Sequence, residues 1–147
     1  MTPAYAYLPP LAAVALAAIF SLEPSPAHAE DAGRCITVEV QNVRPQQGFL
    51  MVAAYVDADS YKKKPVSQVK VPAGDAVTRL QLCGISGDTV ALMLYQDLDG
   101  NGEMGKNALG MPTEPWGSSG TPGMFGPDWA TGKVTLDGSP VIAKLSQ

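Results

Sequence analysis

The strongest constraint on this chain is a series of short segments whose apolar residues alternate with period two, with turn residues between them. In Cys35 to Gln41, Ile36, Val38 and Val40 face one way, and Thr37, Glu39 and Gln41 the other. That is the pattern of a strand with one buried face. Residues 66–71 repeat it with Val69 and Val71, and residues 77–83 with Leu80 and Leu82. Phe49 to Val56 is apolar throughout, which predicts a central strand covered on both sides. Thr89 to Gln96 reads as another strand. The turn residues Arg44 to Gly48 predict a hairpin joining the first strand to the second. The Asp137-Gly138 dipeptide predicts a closing hairpin between residues 132–136 and 141–145.

No segment carries a helical period. About seven strands at short spacing predict an all-β fold, an antiparallel β-sandwich of immunoglobulin-like or transthyretin-like outline. The immunoglobulin hallmark, a Trp between two cysteines, is absent because Trp116 and Trp129 both follow Cys83. Strand order is therefore left open. Residues 97–128 form one long Gly/Pro-rich connection in which no normal strand or helix is expected. Loops of that length are usually functional or disordered.

Residues 1–29 have the character of a secretory signal peptide. Leu11 to Phe20 is an unbroken apolar run, and Ala27-His28-Ala29 offers small residues at the positions a signal peptidase reads. The run falls well short of the ~20 residues that span a bilayer as a helix. The expectation is a cut after Ala29, no stable membrane span, and one exported domain over 30–147 in the periplasm or outside the cell. Losing Glu23 with the leader leaves 10 basic residues against 13 acidic ones, a net charge of −3. Lys62-Lys63-Lys64 is the only basic run, too short for a nucleic-acid footprint. An exported chain with two cysteines, Cys35 and Cys83, is expected to join them. The sole histidine, His28, leaves with the leader. The remaining domain then has no imidazole for a Ser-His-Asp triad, a Cys-His pair or a His-ligated zinc or copper site.

One segment carries a chemical pattern. Asp97-Leu98-Asp99-Gly100-Asn101-Gly102-Glu103 places oxygens at alternate positions before a glycine, as in the first half of a calcium-binding EF-hand loop. Asp97, Asp99 and Asn101 would supply side-chain oxygens and Glu103 a backbone carbonyl. The twelfth position, normally a bidentate Glu, is Ala108, so a closing carboxylate has to come from elsewhere, with Glu114 and Asp128 as candidates. The competing reading is a tight Asp/Asn/Gly turn whose side chains satisfy local N–H groups.

Tyr95-Gln96-Asp97-Leu98-Asp99-Gly100-Asn101-Gly102, then Leu109 to Gly117, then Phe125-Gly126-Pro127 resemble the bacterial domain-of-unknown-function 2141 family. The resemblance extends to the opening strand and the Gly48 turn into the second strand. It implies an exported β-sandwich with no established biochemical activity, and two cysteines as in some members. The family's His falls on Gln96, its first Asn on Asp99, a following Asp on Gly105, and its Gly-Tyr-Gly on Pro115-Trp116-Gly117.

Trp116, Phe125 and Trp129 are candidate contacts for a sugar or a peptide, or else anchors that pin the loop down. The function expected is a non-catalytic exported module, with calcium as the one candidate cofactor and an envelope protein or a glycan as candidate partner. Two alternatives stand beside it. A hydrolase acting on envelope or extracellular glycans would need two loop carboxylates roughly 5–10 Å apart in a concave pocket. A structural envelope protein would meet a protein partner at an exposed strand edge.

Overall fold

The computed structural model describes residues 33–123 and 126–146. The expected leader and Phe125 lie outside the described residues. Among the described residues there are eight strands: β1 Arg34–Gln41, β2 Phe49–Tyr55, β3 Ser67–Pro72, β4 Val77–Ile85, β5 Thr89–Asp97, β6 Trp116–Ser119, β7 Lys133–Thr135 and β8 Val141–Leu145. One short helix, α1 Trp129–Gly132, precedes β7. All seven expected strands are found.

The all-β expectation holds, but two separate sandwich sheets do not form. The strands make one hydrogen-bonded path, β3-β2-β5-β6-β8-β1-β4, with β7 pairing β5. The path ends, β3 and β4, are consecutive in the chain and lie against one another, so the sheet curls into a nearly closed barrel. The cause is β6. Without it, β3-β2-β5 with β7 beside β5, and β8-β1-β4, would be two separate sheets. β6 lies inside the segment expected to hold no strand, and it bridges β5 to β8 through antiparallel ladders on both its sides. Gly117 permits this seam, because a Cβ there would stand 2.1 Å from the Lys144 carbonyl oxygen.

Neither expected hairpin forms. β1 pairs with β4 and, in parallel, with β8, whereas β2 pairs with β3 and β5. The 42–48 connection therefore crosses one end of the barrel, where the Val43 and Gln46 N–H groups donate to the carbonyls of Ala76 and Gly74. Likewise β7 pairs with β5 while β8 pairs with β6 and β1. A turn signal reports a reversal of the chain, and here the two strands it separates find different neighbours.

Inward-facing residues of every long strand build one core: Val38 and Val40, Leu50 and Val52, Leu80 and Leu82, Leu92 and Leu94, Ala143 and Leu145. β2 is covered on one face only, since Phe49, Met51 and Ala53 are half-buried on the outside. A small second cluster sits on that outer surface, where Tyr55, Tyr61 and Ala91 pack with Met93 and Trp129.

Cys35 and Cys83 are disulfide-bonded, tying β1 to β4 across a sequence separation of 48. Closing a loop of that size stabilises by about 4 kcal/mol in the chain-entropy account. Reducing the bridge, or replacing both cysteines by Ser, should lower the urea-unfolding free energy by about that amount. An unchanged midpoint would show that the β1–β4 ladder already restrains these residues when the protein is unfolded.

Candidate functional site

The site forms where β5 runs out. Along β5, Val90, Leu92, Leu94 and Gln96 face the core, and Met93, Tyr95 and Asp97 face outward. The Gln96 side chain is fully buried and closes the barrel end. Its amide nitrogen donates to the Arg44 and Gln47 carbonyls, both at 2.7 Å, and its amide oxygen accepts the Arg44 N–H at 2.9 Å. Gln96 thus braces the 42–48 connection, facing away from the loop carboxylates. Gly48 lies over the same strand end with φ +63°, and a Cβ there would stand 1.9 Å from the Asp97 carbonyl oxygen. Only glycine allows that approach.

Asp97 has no exposed side-chain surface. Its Oδ1 accepts the Gly100 N–H at 2.8 Å and its Oδ2 the Gly102 N–H at 2.9 Å. The Lys70 ammonium stands 3.5 Å from Oδ2 and 4.3 Å above the Phe49 ring. Gly100 and Gly102 adopt φ +76° and +81°, which lets the chain fold back over the carboxylate. Burial by itself would raise the Asp97 carboxyl, but the Gly102 and Gly100 N–H groups and Lys70 outweigh it and hold it below the ordinary value.

Glu114 is brought in by the β5–β6 ladder. Tyr95 pairs with Trp116, and the Gln96 N–H continues that ladder to the Pro115 carbonyl at 2.8 Å. Glu114 then lies beside Leu98, whose N–H donates to its Oε1 at 2.7 Å, while Oε2 accepts the Gly105 N–H at 2.8 Å. Carboxylate oxygens of Asp97, Asp99 and Glu114 all lie within 4.8 Å of one another. Burial pushes the Tyr95 phenol up, and the charges of Asp97, Glu114 and Glu103 push it further. Its hydroxyl donates to the Gly102 carbonyl at 2.8 Å.

Of the residues singled out by spacing, Asp97, Asp99 and Glu114 therefore converge. Asn101 attaches through Asp99, whose oxygens accept its backbone N–H and its side-chain Nδ2 at 3.1 and 3.0 Å. Glu103 is exposed and donates its backbone N–H to Asn101 Oδ1 at 2.7 Å. Asp128 caps α1 by accepting the Thr131 N–H and takes no part in the cluster. Trp116 and Trp129 are far apart in role. Trp129 packs edge-on to Tyr61 with ring centres 6.1 Å apart, so it pins α1 to the outer surface. Trp116 is half-buried in a groove across β6, β8 and β1. Spacing missed Lys70, Gln96 and Gly48, and only the Gly48 turn left any mark on the sequence.

These features define a β-barrel domain with an oxygen-lined loop sealed onto one end. The chain belongs to the family of uncharacterised proteins conserved in bacteria, domain of unknown function 2141, which matches residues 38–143. No curated protein and no solved structure matches it. Among the described residues, no helix is long and apolar enough to cross a membrane.

A carboxylate with a lowered folded pKa adds stability above the unfolded value of about 3.9 and loses it as pH falls through the folded value. Asp97→Asn should thus lower Tm at neutral pH, and the gap to wild type should narrow well below pH ~4. Melting curves across that range check this, and a gap independent of pH would contradict the ionised role of Asp97.

Proposed function

We propose that this protein is a non-catalytic exported binding module whose loop 97–114 takes one calcium ion. The observation that supports the reading is the convergence of Asp97, Asp99 and Glu114 within 4.8 Å. Three carboxylates so close repel one another, and Lys70 is the one described cation paired with them. A divalent cation balances the remaining charge. All the donors are hard oxygens, the class suited to calcium or magnesium. Calcium's flexible coordination tolerates a closing carboxylate from another segment, with Glu114 taking the part that the twelfth position, Ala108, leaves vacant. The hydrogen bonds leave a further lone pair on Asp97 Oδ1 and on each Glu114 oxygen, whereas Asp97 Oδ2 is already shared between the Gly102 N–H and Lys70.

A binding role is preferred to hydrolysis on the shape of the surface. The described groove on the outside of β3, β2 and β5 is lined by Met51, Met93, Tyr95, Met104 and Lys70, among others, and none of its lining residues is a carboxylate. The groove at Trp116 has none either. Export is supported by the leader-like residues and the Cys35–Cys83 bridge.

At an affinity typical of extracellular calcium sites, about 10⁻⁴–10⁻³ M, the wild-type Tm should rise by about 5 °C in 10 mM calcium. An Asp97→Ala, Asp99→Ala double variant should show no rise. If wild type melts identically in calcium and in chelator, the metal reading is discarded and the loop is a hydrogen-bonded brace.

A further inference from the structure

The outer face of β6, β8 and β1 carries a second feature, separate from the carboxylate loop. The ladders put Ser118 opposite Lys144, and Lys144 beside Gln41, so three polar side chains form one row across three strands. Trp116 stands next along β6 and Ile142 next along β8. Thr121 and Pro122 add a further wall, and together these residues enclose a groove of about 450 Å³.

Within that row, Ser118 is anomalous. It is 5% exposed, and its hydroxyl has no hydrogen-bond partner among the described residues. Its neighbour Ser119 shows the ordinary case, donating to the Gly132 carbonyl at 2.6 Å and accepting the Leu92 N–H at 2.8 Å. A buried hydroxyl left unpaired costs stability and calls for a reason. Among the described residues, Lys144 makes no ion pair and is the one charged residue lining the groove. Gln41 donates its amide nitrogen to Glu39 at 3.0 Å, and its amide oxygen accepts no hydrogen bond among the described residues.

We propose that this groove binds one six-membered sugar ring bearing a carboxylate, a uronate unit of a glycan. The proposal rests on the reading of the protein as a binding module and names its ligand class. The apolar face of the ring stacks on the Trp116 indole, as amphipathic rings do on aromatic side chains. Ring hydroxyls meet Ser118 Oγ and the Gln41 amide oxygen, and the carboxylate meets the Lys144 ammonium. A peptide is the poorer fit. β6, β8 and β1 are each paired on both sides, so this face has no open edge for an extended chain to join.

The test follows tryptophan emission in a Trp129→Phe background, where Trp116 is the sole reporter, with calcium chelated. Tetragalacturonate should change the emission saturably, and the neutral cellotetraose should bind about tenfold more weakly or worse. Ser118→Ala should weaken the uronate probe by about tenfold while leaving Tm unchanged or raised, because the hydroxyl it removes is unpaired in the free protein. Lys144→Gln should abolish the preference for the acidic probe. No saturable change with tetragalacturonate, equal binding of both probes, or unaltered binding by Ser118→Ala each overturns the proposal. A calcium-dependent Tm rise without a sugar signal sinks this inference alone, whereas a sugar signal without that rise sinks only the metal reading.

Discussion

A carboxylate withdrawn from water has to be compensated on every side, and Asp97 is that group here. With no exposed side-chain surface, it depends on two backbone N–H groups and on Lys70. Each partner fixes a different part of the molecule. The N–H groups of Gly100 and Gly102 set the course of the loop, and Lys70 ties β3 to the end of β5. Replacing a partner leaves a buried charge short of compensation, which costs more than the contact itself contributes.

Glu114 continues the same logic across the loop's far arm. It can reach Leu98 and Gly105 only because the β5–β6 ladder holds Pro115 against Gln96. The strand that closes the barrel also delivers the second carboxylate, so sealing the barrel and assembling the oxygen cluster are one event. Gly117 is needed for both, since it admits the close approach of β6 to β8. The outer face of that seam then presents Trp116 and Ser118, placing the second candidate site on the same short strand.

Much of this was legible in the sequence, and the illegible parts share a cause. Seven strands announced themselves through alternation, because each buries one face in a common core. Asp97 and Asp99 announced themselves through oxygen spacing, and Glu114 as a candidate closing carboxylate. β6 did not, since Trp-Gly-Ser-Ser has no alternating apolar residues and is a strand only because β5 and β8 flank it. Both expected hairpins failed for a related reason: turn residues dictate reversal, not pairing, and the partners of β1 and β8 come from distant segments. Lys70 was invisible because its approach to Asp97 depends on the β3–β2–β5 register, in which Met51 pairs with Lys70 on one side and Tyr95 on the other. Trp129, read from the sequence as either a ligand contact or a loop anchor, packs edge-on against Tyr61.

The most direct measurement is residue-resolved amide exchange in the calcium-free protein. If Asp97 and Glu114 organise the loop from within, the amides of Leu98, Gly100, Gly102 and Gly105 will exchange together, slower than unstructured peptide by on the order of a hundredfold. The amide of Ala108, at the outer turn, will exchange freely. Should those four amides exchange at the unstructured rate while the barrel strands stay protected, the buried carboxylates do not hold the loop, and the account built on them fails.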